Sequence, residues 1–322
     1  MFRKLFVILL SAALLLSAFA FAEDASPQTV DIGRVWWPLT QLKEYAENLP
    51  EGTVMTGEFS YKGKFFSVAA EELNLDTVSG PVKAEDLECM IAFMPNLKKI
   101  IAKWHPELSN AVMIPLVEKY PDVFFVWALR INKYKIYTDV TAFSTMSTDS
   151  DARFLKSKDC ELFKYLPNLR ALDLGHHDIT DISFVRYMPE LRILILADNN
   201  IKDITPIGEL KHLEYLELFM NYYITDLSPL ANCTELLDLN LSYLKFTSLQ
   251  PLESCTKLER LWDAGAKVST EEREAFQASH PNCEVLFRPR GSSTYGTWRS
   301  HPRYAQYRKM FETGVWKEFT TD

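Results

Sequence analysis

The 322-residue chain has little of what catalysis or metal binding requires. Its six histidines are His105, His176, His177, His212, His280 and His301, and none stands in a hydrolase signature, because no G-x-S-x-G and no H-E-x-x-H occurs. Five cysteines are present without a C-x-x-C pair, and no histidine pairing has ligand spacing, which argues against zinc. His176 and His177, near Asp198 one repeat on, read as solvent-facing polar residues rather than a weak metal cluster. Basic residues are outnumbered, 35 Lys and Arg against 43 Asp and Glu. That balance argues against nucleic acid or an anionic membrane surface as partner. No low-complexity tract occurs, and an apolar share of 47% is ample for a folded chain. The expectation is a non-enzymatic protein without cofactor or metal.

The first 22 residues carry Arg3 and Lys4, an apolar run from Leu5 to Leu16, and Ala20-Phe21-Ala22 as a small-x-small cleavage site. This is the pattern of a secretory signal peptide. Its removal leaves 33 basic against 43 acidic residues. No Cys follows the apolar run, and Phe319-Thr320-Thr321-Asp322 offers neither an apolar tail nor a Leu-Pro-x-Thr-Gly sorting signal. The expected location is therefore extracellular or the cell surface, with non-covalent retention at most and no stable membrane insertion after cleavage. In that setting the cysteines could form disulfides. Cys233 and Cys255 each lie three residues before a repeat-opening Leu, and Cys89, Cys160 and Cys283 precede strand-like runs, so all five read as small buried apolar residues. A bridge between Cys233 and Cys255, one coil apart at about 5 Å, is sterically conceivable.

The chain is organised by a phrase repeated four times over residues 169–257: L-x-x-L-x-L, a polar slot with Asn, then I-x-D-I-x-x-L. The openings fall at Leu169, Leu191, Leu213, Leu236 and Leu258, so the period is 22, 22, 23 and 22 residues. A fixed period of this length means stacked coils. In the first repeat Leu169, Leu172 and Leu174 point inward from a short strand, and Ile179, Ile182, Val185 and Met188 point inward from the return path. One such coil cannot offset its own ordering entropy, so neighbours must share faces.

Leu191, Leu194, Leu196, Asn199, Ile201, Asp203, Ile204, Ile207 and Leu210 resemble the 22-residue leucine-rich repeats of bacterial secreted, internalin-type proteins. The resemblance implies an α/β solenoid, with a curved parallel sheet on the concave face and short helical or 3-10 segments on the convex face. It also implies an Asn ladder at Asn199 and Asn221, whose amides bond backbone left unpaired at the corner. His177 and Leu244 depart from the Asn slot, and an extra residue falls at Tyr222 or Tyr223, so those coils are expected to be irregular.

The flanks read as caps. Residues 23–97 and 98–168 form two similar modules of helix, hairpin and Pro-Asn-Leu triplet, offset by 71 to 72 residues. Their hairpins turn at Tyr61-Lys62-Gly63 and at Asn132-Lys133. The second module also resembles, through Lys119 to Trp127 and Thr138 to Thr145, the N-terminal part of exported repeat proteins from anaerobic bacteria, with no activity attached. Residues 258–290 form a C-terminal cap, whose helix is opened by Ser269 or Thr270 and broken by His280-Pro281-Asn282, with a last strand at Cys283 to Phe287. Residues 291–297 read as a linker. Residues 298–322 form an aromatic and basic helix with Tyr304, Tyr307 and Phe311 on one face, flanked by Trp298 and Trp316. That helix is either docked back on the solenoid or an exposed docking peptide.

Strand residues that alternate with the inward leucines define a grid on the concave surface. Asp173, Ile193, Ile195, Tyr215, Glu217, Phe219, Asp238, Asn240, Arg260 and Trp262 fall on it. An exposed apolar and aromatic centre with an acidic rim suits a protein partner. A cell-envelope glycan, stacked on Tyr215 and Trp262, is the alternative, and an accessory role beside a hydrolase a weaker one. Rings packed edge-on favour protein, and a flat open pair favours sugar.

Overall fold

The structure, a computed structural model, describes residues 28–145, 155–287 and 297–318. The expected signal peptide and most of the linker lie outside these residues. The chain divides into two compact units, residues 1–100 and 101–322.

In the first unit β1 (Thr29–Val35) runs parallel to β2 (Val54–Tyr61), and β2 turns back antiparallel into β3 (Lys64–Ser67). Lys62 and Gly63 at the turn both have positive φ, which matches the twist of a two-residue hairpin. Helix α1 (Leu39–Glu47) and α2 (Ala84–Phe93) pack over the sheet through Leu42, Phe59, Leu87 and Phe93, with Phe59 and Phe93 edge-on at 5.0 Å. The sequence pattern did not indicate β1. Its backbone comes so close to β2 that a Cβ on Gly57 would sit 2.5 Å from the Gly33 carbonyl. β4 (Glu72–Asn74) leads to α2, and β5 (Lys99–Ile101) follows it.

In the second unit α3 (Asn110–Lys119) carries Pro115 in its interior. Ahead of the second hairpin turn, β6 (Phe124–Val126) and β7 (Ala128–Ile131) are separated at Trp127. There the buried Thr138 hydroxyl accepts from Trp127 N–H at 3.1 Å and donates to the Phe125 carbonyl at 2.7 Å, replacing a ladder rung. β8 (Tyr134–Tyr137) completes the second hairpin with β7.

β9 (Ala142–Ser144) is the first strand of a seven-stranded parallel sheet. It continues through β10 (Ala171–Asp173), β11 (Ile193–Ile195), β12 (Tyr215–Glu217), β13 (Asp238–Asn240), β14 (Arg260–Trp262) and β15 (Glu284–Leu286), in chain order. Each strand is three residues long, and 3-10 turns at 183–187, 205–209, 228–232 and 250–252 lie on the return paths. Pro206, Pro229 and Pro251 sit early in three of those turns, where a fixed φ helps and no N–H is needed. Leu172, Leu194, Leu216, Leu239 and Leu261 are in register across five strands and fully buried. Helix α4 (Ser157–Cys160) opens the first coil and α5 (Thr270–Ser279) closes the last, with the Ser269 hydroxyl accepting from Glu272 N–H.

Asn199 accepts from Ile179 N–H and donates to the Leu174 and Leu196 carbonyls. Asn221 repeats this one coil on with Ile201, Leu196 and Leu218. The irregularity expected at Leu244 does not break the sheet. The extra residue lets Ile224 N–H bond the Asn221 carbonyl within its own coil, so the missing side-chain acceptor leaves no orphan. The five cysteines are free, and the Cys233 and Cys255 thiols point at the Ile207 and Leu230 carbonyls. Burial pushes Cys233 up to about 12 and Cys255 up to about 11, as fits inert core thiols.

Candidate functional site

The concave grid is a lattice of straight rows because the strands pair without slippage. Ala171, Ile193, Tyr215, Asp238 and Arg260 form one row, and Asp173, Ile195, Glu217, Asn240 and Trp262 the next. β9 extends both rows with Ala142 and Ser144. Nine of the ten residues expected on this face are thus brought together, with the tenth, Phe219, at the strand end beside them.

They are not open to solvent, which corrects the expected exposure. Every one of the ten is at most 5% exposed. The cover is the chain's own C-terminal segment, a 3-10 turn at Thr297–Ser300 followed by α6 (Pro302–Thr313). Pro302 opens α6, the His301 ring accepts from Arg303 N–H, and Gly314 ends it in the left-handed region. Trp298, Tyr304, Tyr307, Met310 and Trp316 share one apolar cluster with Ala142, Ile193, Ile195, Tyr215, Phe219 and Trp262. Of the rings expected on one helix face, Tyr304 and Tyr307 are buried and Phe311 is half-buried against the cluster.

Trp298, fully buried, is the deepest anchor. Its ring lies 5.3 Å from Trp262 and 5.7 Å from Tyr215, with the Arg260 guanidinium 4.2 Å from its centroid. Its indole N–H donates to Glu217 at 2.9 Å, and Arg299 donates to the other Glu217 oxygen at 2.9 Å. The Tyr215 hydroxyl also donates to Glu217. Tyr307 stands edge-on to Tyr215 at 4.6 Å. Asp238 is held by Arg260 from its neighbouring strand and by Arg303 from the tail, and Arg303 reaches Glu259 at 2.6 Å. At the other end the Gly314 carbonyl accepts from Thr141 and Ala142 N–H, and Trp316 N–H donates to the Thr141 hydroxyl. The tail therefore crosses the sheet from β14 to β9.

Electrostatics follow the packing. Burial pushes Asp173 up, opposed by the Gly175 N–H, the Arg299 charge and the Ser144 hydroxyl. Desolvation disfavours the Arg299 charge, but Glu217 outweighs it and holds the guanidinium above its ordinary value. Burial pushes Tyr215 well up, with the Glu217 charge and hydrogen bond adding, and raises Tyr304 to about 12. The shifts keep Tyr215 and Tyr304 neutral and Arg299 charged near neutrality. These groups make a buried interface of paired charges and rings between the sheet and the tail.

Sequence reading named the solenoid half of this site but not Thr141, Ala142, Ser144, Arg299, Arg303 or Met310. The available signal was complementarity: three arginines and five aromatic rings in residues 297–318 against an acidic, aromatic grid. His176 and Asp198 pair at 3.0 Å at the strand ends, whereas His177 is buried and bonds the Thr145 hydroxyl at 2.8 Å. His177 was expected to face solvent; the Asn slot it fills points inward. No group of His, Cys, Asp and Glu able to hold a metal occurs among the described residues.

Residues 189–232 match the family model for leucine-rich repeats in two copies. Among solved structures, an internalin C2 from Listeria monocytogenes is similar at 22% identity over 47% of this chain and 74% of its own, with a TM-score of 0.41. An internalin F from the same organism is similar at 17% identity over 74% and 72%, also at 0.41. A leucine-rich-repeat protein of Leptospira interrogans gives 20% identity over 77% and 62%, at 0.42. Among curated proteins none matches this sequence. The in-register leucine rows, the Asn199 and Asn221 ladder and the family match over residues 189–232 give the chain a leucine-rich-repeat solenoid fold.

Proposed function

We propose that the chain is an exported, non-enzymatic protein that binds a polypeptide partner through its concave face, using Asp173, Ile193, Ile195, Tyr215, Glu217, Phe219, Asp238, Asn240, Arg260 and Trp262. The observation that carries this reading is that the face already grips a polypeptide. An amphipathic helix lies on it with its rings in the apolar cluster and its guanidiniums on Glu217 and Asp238. Helix-in-groove recognition uses this division of labour, apolar anchors for affinity and fixed charges for orientation. The ring geometry favours protein over glycan, since Tyr215 and Tyr307 meet at 72° and Trp262 and Trp298 at 55°, with no flat open pair. Export rests on Arg3, Lys4 and the apolar run that follows them. Purification from culture medium with an N-terminus at Glu23 would bear it out, and retention of Met1 would overturn it.

The test of the binding face uses the full chain with Arg299→Glu and Arg303→Glu, which repel the tail from its acids. A photo-crosslinking side chain is placed at Phe219 or, as a control, at Tyr187 on the return path. Both are exposed to extracellular and envelope proteins. Discrete protein adducts from position 219 alone are expected. Equal patterns from both positions would defeat the assignment, and adducts that collapse on glycosidase treatment would favour the glycan.

A further inference from the structure

Resting on that reading of the concave face, we propose that residues 297–318 are a transferable ligand: the face of one copy of the chain takes the C-terminal helix of a second copy, giving exchanged pairs. The segment is a self-contained epitope. Trp298, Arg299, Arg303, Tyr304, Tyr307 and Met310 lie within thirteen consecutive positions and make the contacts described above. Its attachment to the face is non-covalent throughout. The Gly314 carbonyl accepts from the backbone N–H groups of Thr141 and Ala142, the Trp298 carbonyl accepts from the Arg260 guanidinium and the Trp316 N–H donates to the Thr141 hydroxyl, beside side-chain packing and ion pairing. Nothing in those contacts depends on which chain supplies the helix.

Charge selects the same occupant. The segment carries Arg299, Arg303, Arg308, Lys309 and Lys317 against Glu312 and Glu318, within a chain whose net charge is −8. The tail of a second copy presents a local excess of positive charge to Asp173, Glu217, Asp238 and Glu259. Glu217 Oε1 accepts from the Trp298 indole and the Tyr215 hydroxyl, whereas Oε2 accepts from Arg299, so a helix without a donor at position 299 would leave that buried carboxylate oxygen unmatched. Residues 288–296 tether the tail to its own sheet. The intramolecular contact therefore wins at low concentration through its high effective concentration, and exchange appears once that advantage is removed or matched by a second reciprocal contact.

Complementary full-length variants test this without competition from the tether. One carries a reversed face, Glu217→Lys with Asp238→Lys. The other carries a reversed tail, Arg299→Glu with Arg303→Glu. Each alone is expected to elute at the mass of one chain, and their equimolar mixture at twice that mass by light scattering. The chain with all four substitutions is expected to remain monomeric, since its own pairs are restored with inverted sign. Should the reversed face fail to fold, the reversed-tail chain titrated with a labelled synthetic peptide of residues 297–318 gives the same answer. Saturable binding is expected, at least tenfold weaker for a peptide with both arginines reversed. Two folded variants that stay monomeric when mixed, or equal binding of both peptides, would overturn the proposal. Neither result would touch the crosslinking test for a different protein partner.

Discussion

Two buried side chains show how a residue's role follows from its partners. Asp263 is fully buried beside Arg273 at 3.7 Å, and burial, against that opposing charge, pushes it up to about 6. A carboxyl whose folded value lies above its unfolded value supports the fold while protonated in both states, and that support is lost as pH rises through about 6. Asp263→Asn is therefore expected to raise the melting temperature at pH 7.5, by up to about 3 kcal/mol of stability, and to leave it unchanged near pH 3.5. Melting curves of both proteins at the two values check the sign. Asn221 is the opposite case, a polar side chain whose three bonds answer backbone groups of two coils. Asn221→Leu should cost roughly 2–4 kcal/mol, because Ile201 N–H is left buried without an acceptor. Leu244→Asn should gain nothing, because Ile224 N–H is already satisfied by the Asn221 carbonyl. Urea titrations of the two variants would distinguish a ladder that depends on the side chain from one that depends only on spacing.

Among the elements, the three-residue strands are held by what their middle residues bury. Leu194 lies between Leu172 and Leu216 with no exposed surface. Leu194→Asp places a carboxyl there with no partner, at a cost of several kcal/mol, and is expected to abolish the single cooperative transition of the second unit in circular dichroism. A normal melting curve would sink the coil assignment. These strands were legible in the sequence because the 22-residue period repeats both the inward leucines and the Asn slot, and because register follows once one coil is fixed. The hairpins and α5 were legible from turn and cap residues. β1 was not, since Thr29 to Val35 alternates weakly and its pairing with β2 comes from a distant contact. The break at Trp127 was hidden for a similar reason, since it depends on a hydroxyl eleven residues away. The concave grid was legible position by position, and a tail helix docked back on the solenoid was one of two readings of residues 298–322; that it covers this grid was not legible. Amphipathic spacing in Tyr304, Tyr307 and Phe311 says that a face must be covered, without saying by what.

For the molecule as a whole, the question is how much the docked tail contributes to the second unit. The leucine rows lie on one face of the sheet and the tail on the other, so the stack keeps its interior when the tail is gone. Removal does uncover Ile193, Ile195, Tyr215, Phe219 and Trp262, and it releases Trp298 and Trp316 from the cluster. Glu217 and Asp238 lose Arg299 and Arg303 but regain water, which offsets the lost pairs; the net loss is therefore mostly apolar. Deleting residues 298–322 should leave a cooperative transition at a lower temperature. A net contribution of even ~2 kcal/mol corresponds to a fall of roughly 4–8 °C. The shortened chain should also bind a hydrophobic dye that the full chain excludes, because the uncovered patch is contiguous and aromatic. The same fall produced by Arg299→Glu with Arg303→Glu in the full chain would assign it to loss of docking. An unchanged melting temperature with no dye binding would mean that the tail does not cover the concave face in solution.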